Sequence, residues 1–178
     1  YISSNTNIDK PRFFSHLNNC LNDYKIIAEM KKASPSAGVI INDYKPEDLA
    51  LEYQAKGYTN LSILTEEDHF LGAISHIAKV RKVSDLPILQ KDFIVDEWQI
   101  YQAKTIGVDC ILLISEILTK EEIESFIKAA KTLKLDILLE FHDELEIEKI
   151  KDVNLDFIGI NNRNLRTLKT CLLYTSDA

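Results

Sequence analysis

The sequence predicts an α/β fold built from repeated strand–helix units, and two observations support this prediction. Six short apolar runs recur along the 178-residue chain, and amphipathic segments lie between them. The runs are of strand length, rich in Ile and Leu, and continuous rather than alternating, which is typical of parallel strands covered on both faces. Strands of this kind that alternate with helices indicate a parallel sheet.

The elements follow one another regularly along the chain. The predicted strands are residues 25–30, 60–65, 86–91, 108–115, 135–140 and 155–161. The predicted helices, in which apolar residues recur at intervals of three and four, are residues 46–56, 73–82, 97–106, 120–133 and 144–151. Residues 9–23, ahead of the first strand, predict an additional helix that carries Phe13, Phe14, Leu17 and Leu21.

Local signals mark the ends of several helices. Pro46 suits the first turn of its helix. Proline has no backbone N–H, and an N–H in the first turn would have no acceptor within the helix. Thr119 and Glu122 have the spacing of a capping box, in which each side chain bonds the backbone of the other residue. Gly57 and Gly107 stand where a helix end favours a left-handed residue.

The composition excludes several classes of protein. A formal net charge of −7 opposes nucleic-acid binding, which needs a surface rich in Lys and Arg. No apolar run reaches the roughly 20 residues that span a membrane, and no signal peptide is evident. Cys20, Cys110 and Cys171 form no paired motif, so we expect a cytoplasmic protein without a disulfide framework or a zinc site.

The pattern of elements alone leaves two architectures open. A repeat of strands and helices suits either a doubly wound open sheet or part of a (β/α)8 barrel. No glycine-rich dinucleotide motif and no P-loop follows a predicted strand, which weakens the open-sheet interpretation. A complete barrel has about eight units and typically about 250 residues, so on the barrel interpretation we expect the chain to be incomplete.

Polar side chains stand at the ends of four of the six predicted strands. They are Glu29 and Lys31 on the first strand, Lys91 on the third, Glu140 on the fifth, and Asn161 and Arg163 on the sixth. The carboxyl ends of parallel strands meet at one rim, where α/β proteins build their ligand sites. Taken singly, each residue could be a solvated residue that begins a loop.

The spacing of these residues points to a shared pocket. Glu29 and Lys31, like Asn161 and Arg163, are two positions apart and therefore face the same side of an extended chain. Several cations and carboxylates at one rim predict mutual pairing and an anionic ligand, because unpaired buried charges are costly. The four histidines show no metal-ligand spacing, and we expect them at the surface, with one alternative: His142 follows Glu140 closely enough to support it from behind.

Six segments resemble one family closely. They are "IIAEMKKASPSAG", "LSILTEEDHFLG", "PILQKDFIVDEWQI", "ILLISEIL", "LLEFHDELE" and "IGINNRNLRTL", and together they extend through most of residues 11–170. This sequence is similar to the indole-3-glycerol phosphate synthases, lyases of tryptophan biosynthesis. Related barrels, such as phosphoribosylanthranilate isomerase and the tryptophan synthase α chain, are disfavoured. They are not expected to carry the full set Glu29, Lys31, Lys91, Glu140 and Asn161.

The resemblance implies a TIM barrel of the (β/α)8 type, here an incomplete barrel of about six βα units with an N-terminal helical extension over residues 1–24. It implies closure of a ring in 1-(2-carboxyphenylamino)-1-deoxyribulose 5-phosphate with loss of CO2 and water, giving indole-3-glycerol phosphate. The expected partner is this phosphorylated small molecule, with neither nucleic acid nor membrane. No cofactor and no metal is implied.

Roles for individual residues also come from the resemblance. It implies that Lys91 is the general acid, that Glu140 is a base or proton shuttle in the dehydration, and that Glu29 is a further catalytic or orienting group. The residues that it implies for substrate binding are Lys31, Ser34, Phe93, Asn161 and Arg163. It places Phe93 in the pocket for the aromatic ring and the loop "SPSAG" over the substrate.

The ends of the chain depart from the family pattern. We expect residues 1–170 to form a single partial barrel domain, with residues 171–178, "CLLYTSDA", as a tail that looks non-native. The start without Met and the lack of two further strands, which would carry the phosphate-binding residues, indicate truncation at both ends. Such a chain is expected to be inactive or prone to aggregation. The alternative is a noncatalytic fragment that self-associates through open strand edges, and fusion to or association with another tryptophan-pathway enzyme is a further expectation.

Overall fold

The fold is seen in a computed structural model that describes residues 12–19, 25–155 and 157–161. The strands, in chain order, are β1 (Ile27–Met30), β2 (Ala33–Ser34), β3 (Gly38–Val39), β4 (Asn60–Leu64), β5 (Ile88–Lys91), β6 (Cys110–Ile114), β7 (Asp136–Phe141) and β8 (Ile158–Ile160). The helices are α1 (Phe13–Asn18), α2 (Pro46–Ala55), α3 (Ile74–Arg81), α4 (Glu97–Thr105), α5 (Lys120–Thr132) and α6 (Ile147–Ile150), with 3-10 turns at Ser115–Ile117 and Glu144–Glu146.

Six of the strands form one parallel sheet in the order β1-β4-β5-β6-β7-β8. Each strand therefore pairs with the next one along the sheet in chain order, as in a (β/α)8 barrel. A doubly wound sheet would reverse its strand order at a switch point, and no reversal occurs among the described strands. The described part of the chain is thus an incomplete barrel, as predicted, with β1 and β8 as its edge strands.

The predicted strands and helices of the repeat are confirmed, with small differences at their ends. The helix predicted over residues 9–23 is present as α1, Phe13–Asn18; residues 9–11 and 20–23 of the prediction lie outside the described residues. The last predicted helix is a 3-10 turn followed by the single helical turn of α6. The strands β2 and β3, which pair as an antiparallel hairpin, were not predicted because each has only two residues.

The capping signals act as the sequence indicates. In the capping box at α5, the Glu122 amide donates to Thr119 Oγ1 at 3.2 Å and the Thr119 amide donates to the Glu122 carboxylate at 2.7 Å. Gly57 and Gly107 have φ angles of +85° and +89°, which favour glycine. A second capping box, formed by Asp96 and Gln99 at α4, was missed although its D-x-x-Q spacing is readable.

Two apolar clusters cover the two faces of the sheet. Ile63, Ile111 and Leu113 belong to the larger cluster, which packs against the surrounding helices. Residues at alternate positions, such as Leu89 and Leu112, belong to a second cluster on the opposite face. Burial on both faces is confirmed for β4 and β6, whose residues are all buried.

The last strand does not follow this pattern. Ile158 and Ile160 are 50% and 55% exposed, so the prediction of cover on both faces is wrong for β8. The physical reason is that β8 is an edge strand and that no described residue packs over these two side chains.

The helix α1 lies against the amino end of the sheet. Phe13, Phe14 and Leu17 are buried in the second cluster, as their apolar spacing indicates. Asn60, the first residue of β4, donates from its amide to the Phe13 carbonyl at 2.8 Å, and the Phe13 amide donates to Asp136 of β7 at 2.7 Å. This helix therefore covers the end of the sheet opposite to the predicted site.

Some predictions fall on residues that the structure does not describe. Residues 1–11 and 20–24 of the expected extension, which include Cys20 and Leu21, lie outside the described ranges, as do Arg163 and the tail 171–178. Among the described residues, no helix has both the length and the apolar character needed to cross a membrane.

Candidate functional site

A cavity of about 500 Å³ opens at the carboxyl ends of the strands. Its wall includes seven of the eight residues that the sequence predicts for the site. These are Glu29, Lys31, Ser34, Lys91, Phe93, Glu140 and Asn161. The eighth, Arg163, lies outside the described residues. Side chains from four strands and their loops thus meet around one space, as the strand-end rule predicts.

Glu29 links the two lysines of the site. Its Oε1 lies 2.5 Å from Lys31 Nζ, and its Oε2 lies 3.2 Å from Lys91 Nζ. Burial by itself raises the pKa of Glu29, but the neighbouring charges of Lys91 and Lys31 outweigh it and hold the pKa below its usual value of 4.5. All three side chains are about a third exposed, so a ligand that enters the cavity can reach them.

A second polar pair also lines the cavity. Asn161 Nδ2 donates to Glu140 Oε1 at 2.6 Å. The Asn161 backbone is itself held, because its amide donates to the Phe141 carbonyl at 2.8 Å and its carbonyl accepts from His142 Nδ1 at 2.7 Å. His142 is half-buried and not at the surface as predicted, because its ring is hydrogen-bonded to the Asn161 carbonyl. Glu140 is therefore oriented by groups from both strands.

The segment that follows β1 forms part of the cavity wall. The sequence predicts a loop here, and the structure shows the short hairpin of β2 and β3 with Ser34 and Ser36 near its tip. Gly38 has a φ angle of +65°, a conformation that L side chains rarely adopt, and this allows the tight return of the chain. The Ala37 amide donates to Ser34 Oγ at 3.2 Å, which fixes the turn.

Glu66 and Phe70 are among the residues of the cavity wall that the sequence analysis missed. They follow β4, for which no strand-end residue was proposed, although the same rule applied to "LTEEDHF" would have found Glu66. The Glu66 carboxylate accepts from the amides of His69 and Phe70 at 2.8 and 3.0 Å. Burial raises the pKa of Glu66, but the bonds from His69 and Phe70 outweigh it and lower the pKa. This carboxylate thereby shapes the loop that brings Phe70 to the cavity.

The lining of the cavity includes both charged and apolar residues. Leu64, Phe70, Phe93, Leu112 and Ile114 line it together with the charged residues. An ammonium group and a carboxylate beside an aromatic wall suit a ligand that has both an anionic group and a ring. Lys91 can donate a proton within this space and Glu140 can accept one. Among the residues that the structure describes, no three His, Cys, Asp or Glu side chains are grouped to hold a metal ion.

Comparisons with known proteins agree on one family. A model of the family "Indole-3-glycerol phosphate synthase" matches residues 2–177. A curated relative of that name from Neisseria meningitidis serogroup B is 45% identical over 152 residues, which cover 85% of this chain and 58% of the relative. A relative from Campylobacter fetus is 47% identical over 162 residues, covering 91% of this chain and 63% of the relative. One from Endomicrobium trichonymphae is 43% identical over 143 residues, covering 80% and 55%.

The chain therefore spans roughly three fifths of the length of the curated relatives that it matches, between 55% and 63% for these three. The residues that line the cavity fall within the part that the family model matches.

Proposed function

Since the chain belongs to the indole-3-glycerol phosphate synthase family, we propose that the whole protein closes the indole ring of 1-(2-carboxyphenylamino)-1-deoxyribulose 5-phosphate. The products are indole-3-glycerol phosphate, CO2 and water, which makes the protein a carbon–carbon lyase. The observation that carries this proposal is the meeting of Glu29, Lys91 and Glu140 at one cavity that also has an aromatic wall.

In the proposed reaction, Lys91 is the general acid. Its ammonium donates a proton to the carbonyl oxygen of the substrate as the ring carbon attacks the carbonyl carbon. The new carbon–carbon bond forms, and the carboxyl group then leaves as CO2 with its bonding electrons returning to the ring. Glu29, 3.2 Å from Lys91, holds the ammonium at the cavity and orients it.

Glu140 acts in the dehydration that completes the indole. We assign to it the transfer of protons as the hydroxyl group leaves as water, with Asn161 holding the carboxylate at 2.6 Å. Lys31 and Ser34 bind the anionic groups of the substrate, and Phe93 packs against the aromatic ring. Arg163, the remaining predicted binding residue, is assigned to the substrate on its motif alone.

The reaction is proposed to take place in the cytoplasm, where reducing conditions keep cysteine as the thiol. Cys110 is fully buried on the sheet and is a free thiol, which suits that compartment. Fusion to or association with other tryptophan-pathway enzymes stays a prediction.

The direct test is turnover of the carboxyphenylamino substrate by the whole protein, followed through the fluorescence of the indole product. Size-exclusion chromatography of the 178-residue chain reports its self-association. Turnover by the whole protein supports the proposal, whereas a folded whole protein without turnover, together with elution of the 178-residue chain as an oligomer, would favour the alternative of a noncatalytic, self-associating fragment. The comparisons give that alternative no support.

A further inference from the structure

A hydrogen-bonded cluster includes both sequence neighbours of Lys91, the proposed general acid, and has no role in the reaction described above. It consists of Thr65, Gln90 and Asp92, and we call it the Thr65–Asp92 clasp. Thr65 and Gln90 are each 2% exposed, whereas Asp92 reaches the cavity wall. The clasp joins the ends of the neighbouring strands β4 and β5.

The donor and acceptor of each hydrogen bond within the clasp can be assigned. Thr65 Oγ1 lies 2.5 Å from Asp92 Oδ2 and 3.1 Å from Gln90 Nε2. Because the Gln90 amide nitrogen can only donate, the Thr65 hydroxyl accepts that bond and its own proton is left for Asp92. Asp92 Oδ1 accepts from the Phe93 amide at 2.9 Å. The Asp92 carboxylate is thus bound on both oxygens.

The clasp continues the connection between two strands beyond the point where their pairing ends. The last paired residues of β4 and β5 are Leu64 and Lys91. Past them, the Thr65 amide donates to the Lys91 carbonyl at 3.1 Å, and the Thr65 hydroxyl binds Asp92. Thr65, the residue after β4, therefore binds the Lys91 carbonyl with its backbone amide and the Asp92 carboxylate with its hydroxyl.

The residues on either side of Asp92 both line the cavity. Lys91 is the proposed general acid and Phe93 is the proposed aromatic wall, and their relative position depends on the backbone at Asp92. A displacement of about 1 Å at a reacting group can lower the rate by roughly 100-fold, because proton transfer needs close alignment. A fixed backbone at Asp92 would therefore keep Lys91 and Phe93 in the positions that the reaction needs.

We propose that Thr65 and Asp92 are positioning residues that fix Lys91 and Phe93 for the chemical step. This inference rests on the proposed function. Neither residue is assigned any contact with the substrate. Their effect should appear mainly in kcat, because a misplaced proton donor weakens the transition state more than the bound substrate.

The test compares three variants of the whole protein. Thr65→Val keeps the shape of the side chain and removes the hydroxyl, and Thr65→Ser restores the hydroxyl. Ser84→Ala is the matched control, because Ser84 is also buried and its hydroxyl donates to Gln54 Oε1 at 2.8 Å far from the cavity wall. We expect Thr65→Val to lower kcat about tenfold or more with KM changed less than about threefold, and the other two to stay within about threefold of wild type.

Amide hydrogen exchange at Phe93 gives a readout that does not depend on turnover. Loss of the clasp should speed this exchange in Thr65→Val and leave it unchanged in Ser84→Ala. If Thr65→Val does not fold, Asp92→Asn serves as the second variant, with the same expected directions.

The outcomes separate the inference from the proposed function. Wild-type protein without turnover overturns the proposed function, and the positioning role falls with it. Wild-type turnover with an unchanged kcat in Thr65→Val, or an equal fall in Ser84→Ala, overturns the positioning role alone.

Discussion

Charged residues gather at both ends of the parallel sheet, but the two ends hold them differently. At the amino end, Asp109 is 12% exposed and accepts hydrogen bonds from the guanidinium groups of Arg12 and Arg81 and, at 2.8 Å, from the Ile88 amide. At the carboxyl end, Glu29 is 32% exposed and lies between two lysines that face an open cavity.

The charged groups at the two ends differ in the partners to which they hydrogen-bond. Arg81 also donates to the carbonyls of Gly107 and Leu86 at 2.8 and 2.6 Å, and Arg12 donates to the Asp85 carbonyl at 3.1 Å. The amino-end groups therefore bind one another and backbone carbonyls of the protein, and they hold α1 and α3 to the sheet. The carboxyl-end groups leave donors and acceptors for a ligand. In a (β/α)8 barrel the carboxyl end of the strands is expected to carry the active site and the amino end to serve stability.

The strongest way to break this comparison is to remove the ammonium of Lys91. We expect Lys91→Ala to lower kcat/KM by about 1,000-fold, because general acid catalysis of this kind typically contributes 100-fold to 10,000-fold. The fold should remain, since Lys91 is a third exposed. Lys128→Ala, at an exposed position of α5, is the control and should keep full activity. A loss smaller than about tenfold in Lys91→Ala would remove Lys91 from the chemical step.

The second prediction concerns Glu140, which also lines the cavity. Glu140→Gln should lower kcat roughly 100-fold or more while KM changes less than about threefold, because the amide keeps the shape of the side chain but cannot accept the proton. Steady-state kinetics on the whole protein measures both parameters. Comparable losses in kcat and in affinity would contradict a role specific to the transition state.

The third prediction moves to the amino end of the sheet. Asp109→Ala should lower the free energy of unfolding by about 3 kcal/mol, because it leaves Arg81 buried without its partner. At a temperature where the variant is folded, kcat should stay near the wild-type value. Denaturant unfolding and kinetics check the two statements, with Asp152→Ala as the control at a position that is 63% exposed. A fall in kcat of the folded variant would mean that the two ends are coupled.

The smallest effect concerns pH and Glu29. The pKa of this carboxylate is lower in the folded state than its ordinary value of 4.5, so its stabilising effect is complete above about pH 4.5 and is lost as the pH falls through the folded pKa. Glu29→Gln should therefore be less stable than wild type by about 1 kcal/mol or less at pH 7, and the difference should shrink near pH 3. Unfolding curves at both pH values measure it, and a difference that is independent of pH would contradict the pairing with Lys31 and Lys91.

Much of the fold and of the cavity wall could be predicted because the information is local. Buried strands read as continuous apolar runs, and the strand-end rule selects Lys91 and Glu140 without knowledge of the fold's closure. The same rule, applied to β4, reaches Glu66. The resemblance to the family then added Ser34 and Phe93, which carry no charge signal of their own.

The amino-end cluster could not be predicted, because it depends on contacts between distant segments. Arg12 and Asp109 are 97 positions apart, and nothing in either neighbourhood marks them as partners. The clasp was missed for a different reason, since Thr65 and Asp92 look like ordinary strand-end residues until the register of β4 and β5 is known. The β2–β3 hairpin is too short to show a periodic pattern.

A crystal structure of the whole protein with bound indole-3-glycerol phosphate is the measurement that tests the central claim most directly. The account predicts the product within the cavity at the carboxyl end of the sheet, with its ring against Phe93 and with Lys91 Nζ within hydrogen-bonding distance of it. A product bound elsewhere, with Lys91 and Glu140 making no contact to it, would contradict the account.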